Sequence, residues 1–255
     1  MKQIAALLSL LLLFTSSNLG WASGVEALAT PPLLPVDHPS RILLVGNSHI
    51  FMNDLPSMLH QLAESAGIDC VCSNSSWGGY DLERHAANEE TLSLIKEGTW
   101  DIILLQERTS LPLSQWAIST QPAVIALDAE ISSVDARTLL LMMWAPYSAT
   151  GEDGSQEEIA RTVIATAAQI DAPVAPIGLA WEAAQDTYPE IGLWGSDRIH
   201  ATEAGTYLMA CVLFATLWGQ SPLGLAYNAG LEQTDAQAIQ RIATQAVLEF
   251  ANLSP

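Results

Sequence analysis

The stretch Arg41-Ile42-Leu43-Leu44-Val45-Gly46-Asn47-Ser48-His49 joins a short apolar run directly to a glycine and a serine. Four consecutive aliphatic residues predict a strand buried on both faces, as in a parallel sheet. A helical pattern begins near Asn53. Gly46 permits the tight turn, and a serine at the entrance to a helix lies where backbone N–H groups can converge on an oxyanion. The same position also suits a simple helix cap, so Ser48 alone does not separate a nucleophile from a cap.

Similar apolar runs recur along the chain and alternate with helical patterns. The runs are Ile42–Val45, Ile68–Cys72, Ile102–Leu105, Thr138–Met143 and Val174–Ile177. The helical patterns lie near 55–66, 82–97, 115–133, 155–170, 203–218 and 239–250. This alternation predicts an α/β fold of three layers, with a five-stranded, mostly parallel sheet between two layers of helices. From Arg41 onward the chain shows no internal repeat and no change in composition, so we expect a single domain over 41–255.

The two segments before that domain have different compositions. Lys2 followed by the apolar run Ile4–Phe14 is typical of a signal peptide, and small residues around Trp21 place the cleavage after Ala22. The apolar run is shorter than the roughly 20 residues that cross a bilayer. Residues 1–22 are therefore expected to direct export to the periplasm or the exterior, with no membrane attachment after cleavage. Residues 23–40 are rich in proline and form a leader to the domain.

The charge balance excludes one class of partner. The chain has 28 acidic and 9 basic residues, a formal net charge of −19. Such a surface repels the phosphate backbone, so we expect no nucleic-acid binding. Acidity does not identify a substrate, and it leaves the oligomeric state open.

A second motif lies far from Ser48, in Asp197-Arg198-Ile199-His200, just before the helical pattern at 203–218. An aspartate three residues before a histidine in a loop can turn back to meet the imidazole. That contact would orient the ring and stabilise the imidazolium formed when the histidine takes a serine proton. His49 is adjacent to Ser48, and adjacent residues on a turn rarely face each other, so we interpret His49 as loop lining. Asp197 and His200 are the better partners for Ser48.

The blocks GNSHIFMNDLP at 46–56 and DRIHATEAGTYLMACVLFATLWG at 197–219 resemble the first and last blocks of the SGNH (GDSL-type) hydrolase superfamily. The resemblance implies a flavodoxin-like α/β/α fold and a serine esterase, with Ser48 as nucleophile, His200 as base and Asp197 as its partner. It also implies an oxyanion hole made by the N–H groups of Ser48 and of a glycine in the second block. That glycine is Gly79, with Gly78 as the alternative.

The third block departs from the family pattern. After Ile102–Leu105 the family usually has Gly-x-Asn-Asp, whereas this chain has Gln106-Glu107-Arg108-Thr109. The Gln106 side chain carries an NH₂ group that can donate as an asparagine does. Some carbohydrate-active branches of the superfamily similarly have a glutamine in this block. We therefore predict Gln106 as the third donor of the oxyanion hole, with Asn47 as the alternative.

These observations favour an exported hydrolase that cleaves short-acyl carboxylic esters, including acetyl groups on carbohydrates, through an acyl-enzyme on Ser48. The mechanism needs no metal and no other cofactor. The irregular third block leaves open an inactive binding protein with the same fold. An acyltransferase that passes the acyl group to a sugar hydroxyl is the other alternative.

Overall fold

The computed structural model describes residues 26–147 and 154–252. The predicted signal peptide, 1–22, lies outside these residues. The described chain is built on a sheet of five parallel strands in the order β2-β1-β3-β4-β5. The strands are β1 (Ser40–Gly46), β2 (Cys70–Ser76), β3 (Ile102–Gln106), β4 (Arg137–Leu141) and β5 (Val174–Ala175). The predicted three-layer α/β fold is confirmed, and all five strands are parallel.

Helices cover both faces of this sheet. They are α1 (Ser48–Phe51), α2 (Leu55–Ser65), α3 (Leu82–Ala86), α4 (Glu89–Glu97), α5 (Leu113–Gln115), α6 (Gln121–Ser132), α7 (Gln156–Ala167), α8 (Ile177–Thr187), α9 (Glu203–Trp218) and α10 (Gln233–Ala251), with a π-helical turn at Trp116–Thr120. One apolar cluster joins the sheet to α2, α8, α9 and α10, and a second joins it to α3, α4, α6 and α7. Alternate residues of β1 enter the two clusters because successive side chains of a strand point to opposite faces. The apolar runs of β1, β3 and β4 are therefore buried on both sides, as predicted, whereas the edge strand β2 is partly exposed, with Val71 open to solvent.

Several elements differ from the sequence predictions. The strands predicted at Ile68–Cys72 and Thr138–Met143 are Cys70–Ser76 and Arg137–Leu141. The pattern near 82–97 is two helices, because Asn88 caps a new helix by accepting a hydrogen bond from the N–H of Thr91 at 2.8 Å. The run Val174–Ile177 was predicted as strand, but β5 ends at Ala175, since Pro176 has no N–H to continue a ladder. Helix α8 then begins at Ile177, and no helix was predicted there. The pattern near 115–133 contains the π-helical turn, which the period of an ordinary helix does not reveal.

The described part of the Pro-rich segment packs against the domain. The N–H groups of Leu28 and Leu34 donate to the carbonyls of Gly219 and Leu217 at 2.7 and 2.8 Å. The Leu34 side chain is buried within the cluster around α9. This segment therefore covers the carboxyl end of α9 instead of hanging free from the domain.

The strand order determines where chemistry can occur. Strand β1 lies between β2 and β3, so the loops that follow these three strands meet at one edge of the sheet. In open α/β sheets the ligand crevice forms at this edge, where the strand order reverses. The described helices include none that is both long and apolar enough to span a bilayer.

Candidate active site

Ser48 is the first residue of α1, two residues after β1 ends. Gly46 has to be glycine here, because a Cβ at this position would collide with the buried side chain of Gln106. Asn47 is the cap of α1 and accepts a hydrogen bond from the N–H of His49 through its side chain. The turn therefore leaves the half-buried Ser48 at the carboxyl edge of the central strand.

Asp197 and His200 lie in a loop closed by backbone hydrogen bonds. Gly195 donates to the carbonyl of His200 at 2.8 Å, and Arg198 donates to the carbonyl of Gly195 at 3.0 Å. Arg198 adopts a left-handed conformation, with φ of 56°, which a residue with a side chain rarely takes. This turn brings the Asp197 carboxylate back onto His200, as the spacing predicted.

The two loops meet in a continuous chain of hydrogen bonds. The Oγ of Ser48 is 2.8 Å from Nε2 of His200, and Nδ1 of His200 is 2.6 Å from Oδ2 of Asp197. Since a carboxylate only accepts, Nδ1 carries the proton and Nε2 of a neutral ring accepts from the serine hydroxyl. The side chain of His200 is 25% exposed and that of Asp197 is 45% exposed, so solvent reaches this row of hydrogen bonds from the side of the loop.

The Asp197 carboxylate is held in its charged form. The pKa of Asp197 lies well below its usual range, and the largest cause is the hydrogen bond from His200. The N–H groups of Ile199 and His200 add two bonds of 3.0 Å to Oδ1. Hydrogen bonds to the charged form favour that form. The carboxylate thus has three donors, and its orientation toward the imidazole is fixed.

Asn53 joins the segment that carries Ser48 to the segment that carries His200. Its Nδ2 donates to the carbonyl of Ala201 and to Oγ1 of Thr206, both at 2.9 Å. Ala201 directly follows His200, and Thr206 belongs to α9. The sequence analysis missed this residue, because nothing local marks an asparagine that bonds across the sheet edge.

The second loop, after β2, contains the two glycines considered for the oxyanion hole. Gly79 has φ of 70° and is exposed, whereas Gly78 needs no left-handed backbone. The loop is tied to the serine turn by two bonds: Trp77 N–H to the Gly46 carbonyl at 3.3 Å, and Asn47 Nδ2 to the Tyr80 carbonyl at 3.0 Å. Within the described residues, neither the N–H of Ser48 nor that of Gly79 has a hydrogen-bond acceptor. Both are free to donate to a ligand.

Gln106 is placed differently from its predicted role. The side chain is fully buried, its Oε1 accepts from the N–H of Asn47 at 3.0 Å, and its Nε2 donates to the carbonyl of Glu107 at 2.5 Å. The two partners fix which end of the amide is oxygen. The side chain of Asn47 is likewise occupied, with both ends bonded inside the protein. Each NH₂ group carries two N–H donors, and one of them is used inside the protein in both residues. A third oxyanion donor at Gln106, with Asn47 as the alternative, stays a prediction.

Glu107 is a buried carboxylate next to the site. It accepts from the Arg108 N–H at 2.7 Å, the Thr120 hydroxyl at 2.8 Å and the Leu82 N–H at 3.3 Å. Burial nevertheless raises its pKa, and the neighbouring Asp81 carboxylate adds to the rise. These contacts join the end of β3 to α3 and to the π-helical turn, so Glu107 braces the loops around the site.

His49 forms an inner wall of the site, consistent with its interpretation as loop lining. Its ring is buried, 5.4 Å from the His200 ring and edge-on to Trp144 at 5.0 Å. Its Nε2 is 3.2 Å from Oγ1 of Thr109. Burial, with repulsion from His200 as the next cause, lowers the pKa of His49 to about 4. His49 is therefore neutral under ordinary conditions and adds no charge beside the catalytic pair.

The surface around Ser48 is apolar and aromatic. Phe51 and Met52, just after Ser48, are 43% and 52% exposed, while Tyr147 is 48% and Ile199 is 50% exposed. The guanidinium of Arg198 lies 4.7 Å above the Tyr147 ring. By contrast, Trp144 and Trp181 are buried, and Trp77 and Trp194 are half-buried. Tyr147 is therefore the exposed aromatic ring beside the histidine loop.

No set of three or more His, Cys, Asp or Glu side chains within 26–147 and 154–252 is arranged to hold a metal ion. The serine, histidine and carboxylate in a row form the arrangement used for nucleophilic acyl transfer.

Comparison with solved structures identifies the fold. A DUF4886 family protein from Bacteroides uniformis superposes with a TM-score of 0.71 at 21% identity, over 83% of this chain and 95% of that one. A protein from Slackia heliotrinireducens, provisionally assigned to the SGNH hydrolases, gives 0.60 at 24% identity, over 71% and 100%. The chain has the SGNH hydrolase fold.

Other solved structures with the SGNH fold include esterases and lipases. One is an acetylxylan esterase from Geobacillus stearothermophilus, with a TM-score of 0.57 at 13% identity, covering 70% of this chain and 94% of that one. No protein-family model matches the chain, and no curated protein matches it. The fold that the two sequence blocks predicted is thus confirmed by structure, at identities of 13–24% to the solved structures named here.

Proposed function

We propose that this protein is an exported serine esterase of the SGNH type. The observation that carries the proposal is the unbroken hydrogen-bond chain from Ser48 Oγ through His200 to Asp197. A binding protein that had lost its chemistry would not need to keep these three side chains aligned. The alignment therefore favours catalysis over the inactive alternative.

The geometry supports a two-step mechanism. His200 Nε2 takes the hydroxyl proton while Ser48 Oγ attacks the ester carbonyl carbon, and Asp197 stabilises the resulting imidazolium. The N–H groups of Ser48 and Gly79 are the candidates to bind the oxyanion. His200 then returns the proton to the departing alcohol, which leaves an ester on Ser48. A water molecule attacks this ester, again with His200 as base, and releases the acid and the free serine.

We propose short acyl groups on carbohydrates as the substrate class. The Tyr147 ring beside the histidine loop has the Arg198 guanidinium over one face, and its remaining exposed surface can contact a sugar ring. The neighbour named as an acetylxylan esterase acts on that kind of substrate, and its fold is shared. Export, which rests on the predicted signal peptide at 1–22, would bring the protein to polymeric substrates outside the cell.

The test is the Ser48→Ala variant with p-nitrophenyl acetate and a fluorophosphonate probe. The wild type should turn over the ester and be labelled by the probe, whereas the variant should do neither and melt at an unchanged temperature. Labelling that persists in Ser48→Ala would exclude Ser48 as the nucleophile. A series of p-nitrophenyl esters tests the substrate class: kcat/KM should fall as the acyl chain lengthens, and a rise would favour a lipase. Acetylated xylan as substrate tests whether the alcohol part of the ester is a carbohydrate.

A further inference from the structure

The peptide group between Gly46 and Asn47 is held from both sides. Its carbonyl accepts from Nε2 of His85 at 2.7 Å and from the N–H of Trp77 at 3.3 Å. Its N–H donates to Oε1 of Gln106 at 3.0 Å. Ser48 is the next residue, so the orientation of this peptide plane determines where the Ser48 N–H and hydroxyl point.

His85 is the side chain that makes the shortest of these contacts. It is completely buried, and its Nδ1 is 3.0 Å from Oγ1 of Thr91, which is 3.1 Å from Oγ of Ser75. A carbonyl only accepts, so Nε2 carries the hydrogen and Nδ1 accepts from the Thr91 hydroxyl. The Thr91 oxygen then accepts from the Ser75 hydroxyl, so each of the two hydroxyl groups donates to a defined acceptor. Burial lowers the pKa of His85, which keeps the ring neutral.

The same ring lies beneath the second loop. Trp77 and Tyr80 pack against His85 with ring centroids 5.4 and 5.3 Å away. Gly79 lies between these two residues in the sequence. His85 therefore contacts both the turn that presents Ser48 and the residues that flank the candidate oxyanion glycine, while it contacts neither His200 nor Asp197.

We propose that His85 is a positioning residue: as the Nε2–H tautomer held by Thr91, it fixes the Gly46–Asn47 peptide so that the N–H groups of Ser48 and Gly79 converge on one oxyanion. This inference rests on the esterase function proposed above. It assigns a role to a histidine that lies outside the catalytic motifs. It also gives Gln106 a role as the acceptor on the opposite side of the same peptide.

The test compares His85→Phe with His85→Gln. Phenylalanine fills the space and cannot donate, whereas the glutamine NH₂ can reach the Gly46 carbonyl in place of Nε2. For p-nitrophenyl acetate, His85→Phe should lower kcat roughly 10- to 100-fold with KM changed less than about threefold, a loss approaching that of one oxyanion donor. His85→Gln should recover most of that loss. A folded His85→Phe with wild-type kcat, or a glutamine variant as slow as the phenylalanine one, would overturn the inference.

A matched control is His60→Gln, since His60 also bonds a backbone carbonyl, that of Cys70 at 2.8 Å, through its ring. His60 lies on α2 and should leave kcat unchanged. If His85→Phe does not fold, Thr91→Val replaces it: the ring stays, but the hydroxyl that donates to Nδ1 and holds the ring in place is removed. This variant should lower kcat several-fold, and an unchanged kcat would count against the inference.

The tautomer itself provides a measurement that does not depend on activity. The measurement is a two-bond ¹H–¹⁵N correlation spectrum of the ¹⁵N-labelled protein. The ring signals of His85 are those that disappear in the His85→Gln variant. They should show a protonated Nε2 and an unprotonated Nδ1. The opposite tautomer or a charged ring would refute the inference. A wild type that turns over no ester would refute the proposed function, whereas an active wild type with an equally active His85→Phe would refute only the positioning role.

Discussion

Replacing Asn53 by aspartate removes the bridge between the two catalytic segments with almost no change in shape. The Nδ2 group donates to the Ala201 carbonyl and to the Thr206 hydroxyl. An aspartate oxygen in its place cannot donate to the Ala201 carbonyl, which leaves two oxygens facing each other, whereas the Thr206 hydroxyl can turn and donate to the aspartate. We expect the loop that carries His200 to move away from the Ser48 segment.

The size of the effect follows from the Ala201 carbonyl, which loses its donor. A buried acceptor left without a donor costs about 1–3 kcal/mol, so the change is worth about 2 kcal/mol. For a domain of this size, that loss lowers Tm by roughly 4–8 °C. If the same free energy is lost from the aligned state of Ser48 and His200, kcat falls roughly 30-fold. KM should change much less, because Asn53 lies behind the loop that contacts substrate.

The assay is the rate of p-nitrophenyl acetate hydrolysis together with thermal unfolding. Thr206→Val removes one of the two bonds and should give about half of the loss in free energy. Gln61→Glu is the control for an amide-to-acid change: its Nε2 donates to Ser57 on the exposed face of α2, and kcat should stay at the wild-type value. A normal kcat in Asn53→Asp would show that the bridge does not align the two loops.

Three further outcomes can be measured on the same protein. Asp197→Asn should lower kcat by about 10⁴ in ester hydrolysis with little change in KM, because His200 loses the carboxylate that orients it; a loss below tenfold would contradict this. Gly46→Ala should cost about 1–3 kcal/mol in urea unfolding, because its Cβ meets the buried Gln106; full stability would refute the close approach. The folded pKa of His49 is lowered from 6.5 to about 4, so the unfolded chain binds the proton first and stability is lost as the pH falls from 6.5 to 4. His49→Gln should remove up to about 3 kcal/mol of that pH dependence, measured as the difference in unfolding free energy from the wild type at each pH.

Local patterns were enough to predict the sheet and the three catalytic candidates. Ile42–Val45 is apolar on every residue because both faces of β1 are covered. The position of Ser48 followed from the rule that parallel strands place their loops at one edge. The contact between Ser48 and His200 spans most of the chain, and the fold class was sufficient to anticipate it.

The roles of Gln106, His85 and Asn53 required coordinates. Gln106 was interpreted from its NH₂ group, but the oxygen of the same amide faces the turn, because the nearest unpaired backbone group there is the Asn47 N–H. His85 lies in a short helix outside the catalytic motifs, and the role that we propose for it depends on the direction of one ring nitrogen. Residue type alone does not reveal which end of a side chain meets the site.

The contact between residues 26–34 and α9 joins a segment synthesised early to one synthesised late, which affects when the fold can be completed. The first described residues bond to Leu217 and Gly219, so a segment made early must wait for one of the last helices before it can dock. Helix α9 is also buried on nearly all sides, which means that the domain has no complete core until that helix has been made. A nascent chain of this design stays open while it is being synthesised. If the protein is exported, as we propose, such late closure would delay completion of the fold until the last helices have been made.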